Sequence, residues 1–190
     1  MKPLFPVRIF AAFCVMTVAL PLLHAQEQTT TYRLVGLSAP EREADLREAM
    51  KSVTGVTIMR LDIAKAEATL RFNAEELFLP AKSKQPPAPE KIIERLNNLI
   101  GNASRHTFQL TAPSTVPPDK LTKIEILIGV LDCKACRYAA YSAIAKIDGV
   151  ERATVSAMPC VVIAWIDAMK TNREALEEAL KRARVELKSP

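Results

Sequence analysis

Histidine, glycine and aromatic residues are scarce in this chain of 190 residues. It has two histidines, five glycines and one tryptophan, and Phe, Trp and Tyr together make up 5% of it. No Ser-His-Asp set, no His-Glu-x-x-His motif and no Gly-rich phosphate loop can be found, so hydrolysis and phosphoryl transfer have no machinery here. The expectation is a protein that is not an enzyme. Lys and Arg outnumber Asp and Glu by 26 to 21. No basic block is interleaved with aromatics, however, and nucleic-acid binding is not expected. Long apolar runs are equally scarce. The one at 9–23 is shorter than the roughly 20 residues of a membrane span, and Pro21 interrupts it.

That run begins after Lys2 and Arg8 and leads to Ala25, beyond which the chain turns polar. A basic start, a short apolar stretch and a small residue at the cut describe a secretory signal over residues 1–25. Phe13 before Cys14 argues against a lipoprotein cut. Removal of the signal lowers the formal charge from +5 to +3, because Lys2 and Arg8 leave with it. The expected location is the periplasm or the cell exterior, with no membrane attachment once the signal is gone. Cys14 leaves as well, and Cys133, Cys136 and Cys160 remain. An odd number of thiols in an oxidising compartment leaves at least one outside any internal disulfide.

Two proline-rich stretches punctuate the remainder, at 85–89 and 112–118. The second reads as a semi-rigid linker, over 111–122, between halves at 32–110 and 123–188. The halves read as repeats. With Gly55-Val56 laid on Gly149-Val150, they align without a gap from Tyr32 to Asn73. Leu46, Ala49, Met50 and Val53 then fall on Ala140, Ala143, Ile144 and Ile147, with the spacing of one helix face. Strands are expected at 32–35 and 124–130, and hairpins at 57–72 and 152–166. Second helices are expected at 89–100 and 172–184, and closing strands at 106–110 and 185–188. Each half is thus strand–helix–strand–strand–helix–strand. The expected fold class is α+β: two tandem ferredoxin-like βαββαβ domains, each with an antiparallel sheet and two helices on one face.

The chemistry concentrates at Val130-Leu131-Asp132-Cys133-Lys134-Ala135-Cys136, between a strand and a helix. Backbone N–H groups at a helix N-terminus favour thiolate, and a thiolate is both a soft-metal ligand and a nucleophile. Cys136, deeper in the helix, is expected to gain more from those N–H groups, and Cys133 to be the more exposed.

Residues 123–188 resemble the heavy-metal-associated domain family, as in copper chaperones and periplasmic mercury-binding proteins. The resemblance rests on Cys133, Cys136, Leu131 in place of the usual Met, and Gly149-Val150 at the family's distance. Val130 replaces the usual Gly, and Arg184-Val185 stand where Gly-aromatic or Gly-Lys is usual. Residues 32–110 resemble the same family with the site erased, Ala39 and Arg42 falling on the two cysteines. The resemblance implies a protein that captures or hands on Cu(I), Hg(II) or Zn(II)/Cd(II), with a metal transporter as a partner.

Two thiolates suit a two-coordinate soft ion, Cu(I) or Hg(II), and hold Zn(II) or Cd(II) only with further ligands. Cys160 and Asp132 are candidates, each with a plainer reading as a small core residue and a solvated loop acid. Lys134, Arg137, Arg182 and Arg184 are candidates for a positive surround. Val161, Ile163 and Trp165 form an apolar stripe on the sheet face away from the helices, which suggests a covered surface: the other half, a second copy or a partner. The alternative function is thiol–disulfide exchange, with Cys160 as resolving thiol, or a pure interaction module.

Overall fold

The computed structural model describes residues 27–79 and 87–188. The signal expected at 1–25, and Gln85 and Pro86 of the first proline-rich stretch, lie outside them.

In the first half, β1 (Glu27–Val35), β2 (Val56–Asp62), β3 (Glu67–Asn73) and β4 (Gln109–Thr111) form one sheet. Its order is β2-β3-β1-β4, with every pairing antiparallel. The helices α1 (Arg42–Met50) and α2 (Pro89–Ser104) complete the ferredoxin-like unit. β1 starts earlier than expected because Thr29, Thr30 and Thr31 extend it along β3, where the hydroxyls of Thr31 and Thr69 meet at 2.9 Å. α2 buries Ile92, Leu96 and Ile100 at the spacing of one face. They close a core with Leu34, Leu46, Leu70, Phe72 and Leu110.

In the second half, β5 (Thr122–Leu127), β6 (Val150–Ala157) and β7 (Cys160–Ile166) form an antiparallel sheet of order β5-β7-β6. α3 (Lys134–Ala145) and α4 (Arg173–Arg182) lie against it. Asn172 caps α4, its side chain accepting the Ala175 N–H at 3.0 Å. The core is Ile126, Ile128, Ala140, Ile144, Val162, Ile166, Leu176 and Leu180. The expected closing strand at 185–188 shrinks to a single bridge between Ile128 and Leu187. The chain leaves α4 through Arg184 at φ 60°, a left-handed conformation that is costly with a Cβ. Backbone hydrogen bonds from Gly129 to the Glu186 carbonyl at 2.8 Å and from Lys188 to the Leu127 carbonyl at 3.0 Å flank that bridge.

The halves meet along α3 and the free edge of β6. Val155 donates its N–H to the Ser38 carbonyl at 3.0 Å, so the loop after β1 covers part of that edge. Arg33 donates to the Val150 carbonyl and pairs with Glu151, each at 2.9 Å. The buried hydroxyl of Tyr141 accepts the Gly36 N–H at 2.7 Å. Gly36 has φ +113°, and a Cβ there would strike the Thr107 carbonyl and the Phe108 ring. Gly36→Ala is therefore expected to cost roughly 2–5 kcal/mol, backbone strain added to overpacking. Chemical denaturation of the full chain measures it, and a cost below about 1 kcal/mol would show the junction to be loose.

Candidate metal-binding thiol site

Cys133 is the N-cap of α3. Its backbone is extended, at φ −90° and ψ 143°, and its sulfur accepts the Cys136 N–H at 2.9 Å. Arg137 braces the approach: its Nη1 donates to the carbonyls of Leu131 and Asp132, both at 3.1 Å. No acid sits in the first turn of α3, so the positive end of the helix meets the sulfurs unopposed. Cys133 and Cys136 are joined in a disulfide, with Cα atoms 5.2 Å apart. Both residues are exposed. Reduced, they would present two thiolates at one helix end, open to solvent.

The hydrogen bond at this helix end falls on the other sulfur of the pair. Depth in the helix suggested Cys136, but the capping sulfur is that of Cys133, and it takes the N–H directly.

Cys160 opens β7 beside the exit of β5, as the topology required, and its carbonyl accepts the Ile128 N–H at 3.1 Å. Its thiol donates to the Ala157 carbonyl at 3.0 Å, and the half-buried side chain leans on the second core. Asp132 is exposed. Among the described residues, no three His, Cys, Asp or Glu side chains converge to hold a metal ion. The structure thus brings Cys133 and Cys136 together and does not assemble Cys160 and Asp132 with them.

The positive surround is also different. Lys134 is paired with Asp45 at 2.8 Å, Arg137 is spent on loop carbonyls, and Arg182 reaches Glu178 of its own helix at 3.8 Å. The apolar stripe is partly covered within the chain, Ile163 and Trp165 being half-buried. Val161 is buried, and Trp165 lies under the Arg152 guanidinium, 3.3 Å from the ring centroid. Burial lowers the pKa of Arg152, and the charge of Asp62 works against that shift.

Residues behind α3 went unforeseen. Asp45 accepts from Lys134 and also pairs with Arg42 within its own helix. Arg42 lies over the rings of Phe108 and Tyr138, 4.6 Å and 5.5 Å from their centroids, and donates to the Gly36 carbonyl at 3.3 Å. Its Nη2 is buried with no hydrogen-bond partner among the described residues, so the two rings are what it gains on that side. The Tyr138 hydroxyl donates to the Thr107 carbonyl at 3.0 Å. The hydrogen bond from Lys134 holds Asp45 below its ordinary value of 3.8, burial opposing and Arg42 assisting. A lowered carboxylate stabilises the folded form above its ordinary value and loses that effect as pH falls through the lowered one. Burial pushes Tyr141 above its ordinary value of 10.0, so it stays a neutral hydroxyl for Gly36. The one trace of this junction in the sequence is Arg42 itself, a charge in register with Cys136.

No family model matches the chain. No curated protein matches it either. Among solved structures, it is similar to the water-soluble region of the P-type ATPase CopA from Bacillus subtilis. The identity is 18%, with 86% of this chain and 91% of that one covered and a TM-score of 0.34. The N-terminal soluble domains of the same ATPase give 17% identity, coverage of 86% and 93%, and a TM-score of 0.33. TM-scores this low carry no weight for function.

In the reduced protein Cys133 is expected to be the more reactive thiol. Alkylation at neutral pH should run roughly three- to tenfold faster in Cys136→Ser, where Cys133 is left, than in Cys133→Ser, the ratio a charge-assisted hydrogen bond supplies. Equal rates would remove the cap from the account.

Proposed function

We propose that this chain is a secreted or periplasmic binder of soft heavy-metal ions, which it captures or transfers through the thiolates of Cys133 and Cys136. The observation that carries the reading is an exposed thiol pair at the N-terminus of a braced helix, one sulfur already taking a backbone N–H. The C-x-x-C motif on a ferredoxin-like unit, which resembles heavy-metal-associated domains, supports the same reading. The metal is cargo, and no chemical conversion is assigned. A donor set of two favours Cu(I) or Hg(II), which accept linear two-thiolate coordination, over Zn(II) or Cd(II). Two thiolates on Cu(I) make a centre of net charge −1, which the helix end favours. The signal at 1–25 is the support for the location, and the absence of a catalytic set is the support for a non-enzyme.

A second reading is favoured by the Cys133–Cys136 disulfide itself. A pair that closes at an exposed helix end can exchange with other thiols. Competitive titration of the reduced full mature chain with Cu(I), Hg(II) and Zn(II) separates the two. The expected result is one Cu(I) or Hg(II) per chain, weak Zn(II), and loss of binding by at least 100-fold in Cys133→Ser, since a single thiolate cannot complete the linear set. Oxidised protein should bind none. Failure to take up Cu(I) or Hg(II), together with turnover of substrate disulfides, would replace metal carriage with redox exchange.

A further inference from the structure

One stripe of α3 is engaged by the first half. Lys134, Tyr138 and Tyr141 lie at i, i+4 and i+7, one stripe of the helix. Each is held by the first half. Lys134 meets Asp45 at 2.8 Å, the Tyr138 hydroxyl meets the Thr107 carbonyl at 3.0 Å, and the Tyr141 hydroxyl meets the Gly36 N–H at 2.7 Å. Lys134 is the residue directly after Cys133. Asp45, which meets Lys134, and Arg42, which lies over Tyr138, belong to the first turn of α1, the helix that stands in the first half where α3 stands in the second.

We propose that the first half is a positioning module for the thiol pair, in which Asp45 ties down and neutralises Lys134 while Arg42 clamps Tyr138 and so fixes the opening turns of α3. The proposal deepens the reading of Cys133 and Cys136 as the working pair, and it holds whether their work is metal carriage or exchange. Its physical content is electrostatic. A lysine beside two sulfurs attracts anionic partners and stabilises thiolate. A carboxylate at 2.8 Å, shared with Arg42, offsets part of that field, so the charge of an approaching donor matters less than the C-x-x-C sequence alone implies. Arg42 and Asp45 touch neither sulfur; they act through Lys134 and Tyr138.

The test uses the full mature chain in its disulfide form. Two equivalents of a small thiol reduce the Cys133–Cys136 bond, giving two cysteine thiols and one small-molecule disulfide. Rates are compared for an anionic reductant, mercaptoethanesulfonate, and a cationic one, cysteamine. Asp45→Asn is expected to raise the anionic-to-cationic rate ratio roughly two- to fivefold, the size of an exposed ion pair. In a Lys134→Gln background the same change should have little effect. A merely structural role would alter both rates together and leave the ratio untouched. An unchanged ratio overturns the proposal, as does an Asp45→Asn effect equally large without Lys134. For the clamp, Arg42→Ala should speed amide hydrogen exchange in the first turn of α3 about tenfold, with Arg42→Lys between it and the parent. Unchanged exchange there overturns that part. Neither readout involves metal, so failure of the wild-type chain to bind Cu(I) would count against the proposed cargo and not against the positioning.

Discussion

The hydrogen bond from the Gly36 N–H to the Tyr141 hydroxyl, at 2.7 Å and buried, sets where α3 can lie. Removing either partner would strand a polar group away from water, at a cost of about 1–3 kcal/mol. The bond can form only because residue 36 lacks a Cβ, which lets the backbone pass against Thr107 and Phe108. With that point pinned, the rest of the contact surface falls at helical intervals along α3. One face of the helix enters its own core through Ala140 and Ile144, and another meets the first half through Tyr138 and Lys134. A helix buried on two sides has little freedom to tilt. The loop it ends in, braced by Arg137, is held correspondingly still.

The same helix position carries opposite chemistry in the two halves. At the start of α3 stand Cys133 and Cys136, with a side-chain cap and no acid in the first turn. At the start of α1 stand Glu41 and Arg42, with no side-chain cap and with acids at Glu43 and Asp45. The first arrangement leaves the helix dipole free to act on sulfur. The second satisfies the dipole internally with carboxylates and sends the arginine sideways, onto Phe108 and Tyr138. Arg42, which lies in register with Cys136, thus supplies an anchor for the neighbouring helix.

Much of this was legible in the sequence because hydrophobic spacing is local information. Leu46 and Met50, like Ala140 and Ile144, announce a buried helix face wherever they occur, and the element order in both halves followed from such patterns. The loop between strand and helix located Cys133 and Cys136 for the same reason. The junction was not legible, because polar side chains make it: Arg33, Arg42, Asp45, Lys134 and two tyrosine hydroxyls. Nothing in a polar residue's own neighbourhood names a partner on the far side of a linker. Alternation along β7 placed Val161, Ile163 and Trp165 on one face, but it could not say that Arg152 from the next strand would lie across the tryptophan. Likewise, spacing put Cys136 further into α3 without revealing that an extended Cys133 turns its own sulfur back to receive the N–H.

Under the proposed reading as a metal binder, a rigid back and an open front suit a site whose cargo must leave again. Two donors satisfy a soft ion without enclosing it, and an incoming thiolate can add as a third ligand before either cysteine lets go. That exchange needs space on the solvent side and little rearrangement behind. Cys133, Ala135 and Cys136 are exposed, while Tyr141 and Ala140 are buried and Tyr138 is bonded across the junction. Were Cys160 brought in as a third protein ligand, the centre would be closed against the newcomer, and release would require breaking a tighter set. Its thiol is instead directed to the Ala157 carbonyl. On the proposed reading, the arrangement favours handing an ion on over storing it.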